Sequence, residues 1–76
     1  MKTIVLFHGA GCSACHEQIQ FFAHHGIKYT AKDVVSDVMA RQELVRLGSK
    51  TLPTTVIDGN VIVGFEKQRL RELLGI

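Results

Sequence analysis

Read from the N-terminus, the apolar positions first crowd together and then space out. Residues 2–7, KTIVLF, form a continuous run rich in β-branched residues, the pattern of a buried strand. Gly9 and Gly11 break it. From about Cys12 to His25 the spacing turns helical, with Cys15, Ile19, Phe22 and Ala23 at i, i+4, i+7 and i+8 on one stripe. Gly26 stands where a helix ends. Residues 27–34, IKYTAKDV, alternate imperfectly and predict a second strand. Ser36 or Asp37 can cap a second helix that runs to Leu47, with Ala40, Leu44 and Leu47 on one side and Gly48 as its stop.

Two further strands, TTVID (54–58) and NVIVGF (60–65), flank Asp58-Gly59, a strong short-range hairpin signal. The tail EKQRLRELL (66–74) reads as a third amphipathic helix with Leu70, Leu73 and Leu74 inward. The order is β-α-β-α-β-β-α, which predicts an α/β fold. The first βαβ unit implies parallel strands with a right-handed crossover. The hairpin adds an antiparallel pair, giving a mixed four-stranded sheet with three helices in a single domain over residues 1–76. Seven elements in 76 residues leave only short loops.

Composition narrows the function classes. At 46% apolar and 21% charged residues the chain is too apolar for a disordered one. The formal charge of +2 is not gathered into a lysine and arginine cluster, so no nucleic-acid partner is expected. The longest apolar run, Ile4-Val5-Leu6-Phe7, is far too short to span a bilayer, and no membrane partner is expected. Met1-Lys2-Thr3 leads into that run, but a secretory segment needs more apolar residues and a small-residue cleavage site. We therefore expect a cytoplasmic monomer. In such a reducing compartment two cysteines three positions apart point to chemistry or metal binding, because the loop they close is too small to staple a fold.

Those cysteines lie in Cys12-Ser13-Ala14-Cys15-His16, which admits three readings. Cys-x-x-Cys-His is the attachment signature of c-type haem. Small cytochromes of that kind are helical, whereas KTIVLF and TTVIDGNVIVGF read as strands, and the internal Met39 belongs to a predicted helix. No tightly bound cofactor is expected. The second reading is a metal site: Cys12, Cys15, His16 and His8 are zinc-type ligands. Helical geometry turns His16 about 100° from Cys15, and no second ligand pair sits at finger spacing. His24 and His25 lie at the far end of the helix, where a positive charge suits the dipole. A copper-carrying domain of the heavy-metal-associated type also places Cys-x-x-Cys between a first strand and helix, but it ends in a strand. Carriage of copper or zinc by the two thiolates, without catalysis, is the alternative function.

The third reading is a dithiol that exchanges with disulfides. A thiol at a helix start meets unpartnered N–H groups and the positive end of the dipole, which favour thiolate. Cys12 occupies that place and is expected to be exposed, with Gly9, Ala10 and Gly11 adding little bulk. Cys15 shares its stripe with Ile19 and Phe22 and is expected to be partly buried as a thiol. Two-step exchange needs this asymmetry: Cys12 attacks a substrate disulfide, and Cys15 then resolves the mixed disulfide.

Thr51-Leu52-Pro53 stands between the second helix and the hairpin. Together with CSAC and VIVGFEKQRLRELL, it makes the whole chain resemble the glutaredoxin branch of the thioredoxin superfamily, and the fold it implies is thioredoxin-like. The resemblance implies a thiol–disulfide oxidoreductase with Cys12 and Cys15 catalytic. It further implies a cis bond before Pro53 with the ring against the Cys12 sulfur, and a substrate-binding surface of Thr51, Leu52, Pro53 and Gly64, the Leu52 backbone pairing with an extended segment. Phe65 reads as a core plug. The implied partners are disulfide-containing proteins or small mixed disulfides, with glutathione or a thioredoxin-reductase-type protein as electron donor. The chain departs from the family at Ser13-Ala14, where many members carry Pro-Tyr, and at Gly9, where they often carry lysine. Val63-Gly64-Phe65-Glu66-Lys67 keeps one glycine and one acid of the family's Gly-Gly-x-Asp-Asp segment. Lys50 and Lys67 are the remaining candidates to pair with a glutathione carboxylate.

Overall fold

The structure, a computed structural model, describes residues 2–76; Met1, included in the domain expected over 1–76, lies outside the described residues. The elements follow the expected order: β1 (Ile4–His8), α1 (Ser13–His24), β2 (Thr30–Asp33), α2 (Val38–Arg46), β3 (Thr54–Ile57), β4 (Asn60–Val63) and α3 (Lys67–Leu74). They form one sheet in the order β2-β1-β3-β4. β1 pairs with β2 in parallel, while β1–β3 and β3–β4 are antiparallel, as the βαβ unit and hairpin require. The arrangement is a thioredoxin-like α/β fold.

Alternation along the strands splits the core in two. Ile4, Leu6, Ile57 and Ile62 point to one face and pack with Phe21 and Phe22 of α1 and Leu70 of α3. Phe7 points to the other face and packs with Val34 and with Ala40 and Leu44 of α2, while Val5 and Val56 are half-buried beside them. β1 is central and carries both cores, so the loop leaving it is held by packing on both faces. That loop leads to Cys12.

Several boundaries differ from expectation, each for a tertiary reason. β2 starts at Thr30 rather than residue 27, because among the described residues it pairs with β1 alone and the parallel register begins at Val5 with Thr30. Ile27 and Tyr29, left off the ladder, still pack on the α1-side core. β1 extends one residue beyond residue 7, to His8, where it pairs with Asp33. β3 ends at Ile57 because Asp58 (φ 48°) and Gly59 (φ 86°) both take left-handed backbone, the conformation of a tight hairpin turn. β4 ends at Val63 rather than residue 65, since Gly64 turns away at φ 83°. Of the two cap candidates for α2, Asp37 is the cap: its Oδ1 accepts from the N–H groups of Met39 and Ala40 at 3.0 and 3.3 Å. Ser36 lies outside the helix.

The stripe expected on α1 is also corrected. Ala23 is exposed and Ile19 only half-buried, whereas Gln18 and Phe21 are buried. The inward face runs through Cys15, Gln18 and Phe22, at i, i+3 and i+7, so the helix is rotated toward a polar residue.

Candidate active site

Residues 9–12 carry the chain from β1 into α1. Cys12 has extended backbone angles (φ −99°, ψ 100°) and is the N-cap of α1. Its Sγ accepts a hydrogen bond from the Cys15 backbone N–H at 3.1 Å. Cys12 is half-buried rather than exposed, because a capping side chain folds back over the first turn instead of projecting into solvent. Cys15 is 2% exposed, more deeply set than expected. The two are joined as a disulfide with Cα atoms 5.2 Å apart, inside the range of about 4.4–6.8 Å that a disulfide spans. The first turn of α1 contains no acidic residue, so nothing there opposes negative charge on sulfur.

The cleft over the sulfurs is lined by Gly9, Gly11, Ser13 and His16 along with the two cysteines. His16 is exposed, its ring nitrogen 3.1 Å from the Gln20 side-chain amide. Among the described residues no three His, Cys, Asp or Glu side chains are grouped to hold a metal ion. At the end of β1, His8 is half-buried and pairs across the ladder with Asp33. The Asp33 carboxyl lies below its ordinary pKa chiefly because it accepts the Val35 N–H at 2.9 Å, with smaller help from Ser36 and the His8 charge.

The second loop of interest arrives from α2. The Leu52–Pro53 bond is cis and Pro53 is buried. Phe7 pairs with Thr54, so Pro53 sits one step past the ladder, beside the end of β1. The Pro53 carbonyl accepts the Gly64 N–H at 2.7 Å, which brings two distant expected site residues together. Leu52 meets the loop before Cys12: a β-carbon on Gly9 would stand 3.0 Å from Leu52 Cδ1 and 3.1 Å from Val35 Cγ2. Glycine at position 9 therefore lets the two loops approach closely, where a β-carbon would require the Leu52 and Val35 side chains to yield. Thr51 is exposed, and its carbonyl accepts the Thr54 hydroxyl at 2.6 Å. Phe65 is half-buried rather than a core plug: it packs edge-on against Phe21 with centroids 5.8 Å apart, at the margin of the α1-side core. Lys50 is exposed, and Lys67 leans over the Phe21 ring at 5.9 Å.

Three buried polar side chains went unread in the sequence. Ser49 and Thr54 are buried with their hydroxyls 2.6 Å apart, pinning the turn that leads to Pro53. Gln18 is wholly buried one turn after Cys15; its Nε2 donates to Thr55 Oγ1 at 2.5 Å, while its Oε1 has no partner among the described residues. Leaving such an atom buried costs about 1–3 kcal/mol. The Cys15–Gln18–Phe22 spacing was the available signal for it.

A sequence model of the glutaredoxin family matches residues 4–62. The chain belongs to the glutaredoxin family. It is 30% identical over 64 residues to a glutaredoxin-like 8.6 kDa protein encoded in a rubredoxin operon of Clostridium pasteurianum, covering 83% of this chain and 85% of that one. Among solved structures it is similar to a point mutant of the thioredoxin-like protein BC3987, at 36% identity and TM-score 0.95 over 100% of this chain and 99% of the other. NrdH-redoxin from Escherichia coli, a glutaredoxin-like protein with a thioredoxin-like activity profile, shares the fold at 20% identity and TM-score 0.85, with 93% of each chain covered. Buckwheat glutaredoxin in complex with glutathione does so at 23% identity and TM-score 0.77, covering 97% of this chain and 74% of that one. With its bonded Cys12–Cys15 pair, this glutaredoxin has a redox-active thiol function.

Proposed function

We propose that the protein is a dithiol–disulfide oxidoreductase that reduces protein disulfides or small mixed disulfides. The observation that carries this reading is the asymmetry of the pair, with Cys12 capping α1 at the cleft and Cys15 buried behind it. In the dithiol state the Cys12 thiolate attacks one sulfur of the substrate disulfide. A mixed disulfide forms and the other substrate sulfur leaves as a thiolate that takes up a proton. Cys15 then attacks Cys12 Sγ, the Cys12–Cys15 bond closes, and the second substrate thiol departs. Two electrons and two protons from a donor restore the dithiol.

Thr51, Leu52, Pro53 and Gly64 form the surface along which the substrate lies. Among the hydrogen bonds of the described residues none uses the Leu52 N–H or carbonyl, so both are free for an added strand. The proline ring brings no N–H of its own to that edge. The donor is glutathione or a thioredoxin-reductase-type protein, in a cytoplasmic setting. The glutathione complex of the buckwheat relative and the activity profile of NrdH-redoxin support one donor each.

Cys12→Ser is expected to abolish exchange, while Cys15→Ser accumulates mixed disulfides that mass spectrometry resolves. Retained reactivity in Cys12→Ser with none in Cys15→Ser would reverse the assigned roles. Turnover of one disulfide substrate with glutathione and glutathione reductase, compared with NADPH and thioredoxin reductase, identifies the donor. Stoichiometric copper or zinc in reduced protein lacking disulfide reductase activity would replace this reading with that of a metal carrier on the same thiolates.

A further inference from the structure

The resolving step asks Cys15, at 2% exposure, to give up a proton with little access to water. Gln18 lies three residues on along the same buried face of α1. A helical side chain covers the turn N-terminal to its own Cα, which for Gln18 is the turn bearing Cys15. One end of its amide is anchored, Nε2 donating to Thr55 Oγ1; the other end, Oε1, is buried and unpartnered. We propose that Gln18 is a positioning residue for Cys15, its free amide end serving the sulfur once the disulfide opens.

Thr55 makes the device serve both protonation states. A hydroxyl can accept or donate. With Thr55 accepting from Nε2, as observed, the buried Oε1 is left as a free acceptor that can take the thiol S–H. With the amide turned over, Thr55 donates to Oε1 and the Nε2–H faces the sulfur as a donor to thiolate. A thiol is a weak donor, whereas a hydrogen bond to a charged acceptor is about twice as strong as a neutral one. The pair therefore favours thiolate on Cys15 at the moment it attacks Cys12 Sγ. No electron passes through Gln18, and the Cys15 proton leaves to solvent or to the departing substrate thiolate.

Among the described residues, other titratable groups lie around this end of α1. Cys12 and His16 line the same cleft, and His8 alternates onto the α1-facing side of β1. β3 contributes Thr55 and no ionisable residue, while Lys67 and Arg71 of α3 sit farther along α1, beside Phe21 and His25. The proposal deepens the oxidoreductase reading and takes its consequence from it, but its test involves no turnover, so failure of either one is seen separately.

In full-length Cys12→Ser protein, which leaves Cys15 without a charged sulfur beside it, ultraviolet thiolate absorbance reports the Cys15 titration. The Gln18 side-chain NH2 resonances are expected to titrate with the same midpoint. Adding Gln18→Met, which keeps volume without the amide, is expected to raise that midpoint by about one pH unit, a tenfold loss of thiolate. A purely structural Gln18 would lower the melting temperature of the Gln18→Met variant and leave its midpoint in place. That result, or Gln18 NH2 resonances indifferent to Cys15 ionisation, overturns the proposal.

Discussion

Replacing Cys12 by alanine or by serine removes the same thiol yet should yield proteins of different stability. Cys12 is the N-cap of α1, and its Sγ accepts the Cys15 N–H at 3.1 Å. Serine keeps an acceptor at that place; alanine leaves the N–H unpartnered at a helix start. Losing an N-cap side chain costs about 0.5–2 kcal/mol, typically about 1. In a domain of this size each kcal/mol moves the melting temperature by about 4–8 °C. Cys12→Ala is thus expected to melt about 4–8 °C below Cys12→Ser in thermal unfolding followed by circular dichroism. Neither variant can form the disulfide, so its contribution cancels in the difference. The same N–H has a functional reading. In reduced wild-type protein it would meet a thiolate, where the bond is charge-assisted and the helix dipole adds about 0.3–1 kcal/mol. The pH profile of alkylation at Cys12 should then have its midpoint below the value of about 8.5 for a free thiol. Equal melting temperatures for the two variants, together with an alkylation midpoint at or above that of a free thiol, would refute the capping argument.

Other outcomes follow from packing and charge. Leu70→Ala empties a wholly buried site in the α1-side core and should cost about 2–5 kcal/mol in urea unfolding, a large part of the ~4–11 kcal/mol typical of a chain this long. Gly9→Ala crowds Leu52 and Val35; because Val35 is exposed and can yield, about 1 kcal/mol is expected from the overpacking, with a rise in KM for disulfide substrates as the Leu52 edge shifts. His25 should titrate by NMR below an ordinary histidine, first from desolvation and then from the charges of His24, Arg71 and Lys67. Its folded pKa is depressed, so the unfolded chain binds more protons just below the ordinary value, about 6.5, and His25 should make the fold less stable as pH falls through that window. Lys67→Gln should move the His25 titration upward, and no movement would place the charge effect elsewhere.

Much of this glutaredoxin is legible in its sequence because the signals are local. Asp58-Gly59 makes a hairpin turn with the backbone angles those residues tolerate, and Gly26 and Gly48 follow the helices they were expected to end. The β-branched run before Cys12 becomes one of the two inner strands, and the cysteine pair falls at a helix start because two glycines separate strand from helix. These outcomes depend on φ, ψ and side-chain period, which a short stretch of chain sets by itself.

Tertiary structure decided what depends on a partner. β2 begins only where β1 can pair with it, so the alternation at residues 27–29 produced no strand. Ala23 matches the helical stripe yet is exposed, while Gln18, a polar residue, is buried with its amide donating to the Thr55 hydroxyl of β3. The distances that make a site, Gly64 to Pro53 and Gly9 to Leu52, join residues 11 and 43 positions apart in the chain. Periodicity says which face of an element is apolar. It cannot say which opposing atom will be there to accept a buried hydrogen bond, as Thr55 Oγ1 does for Gln18.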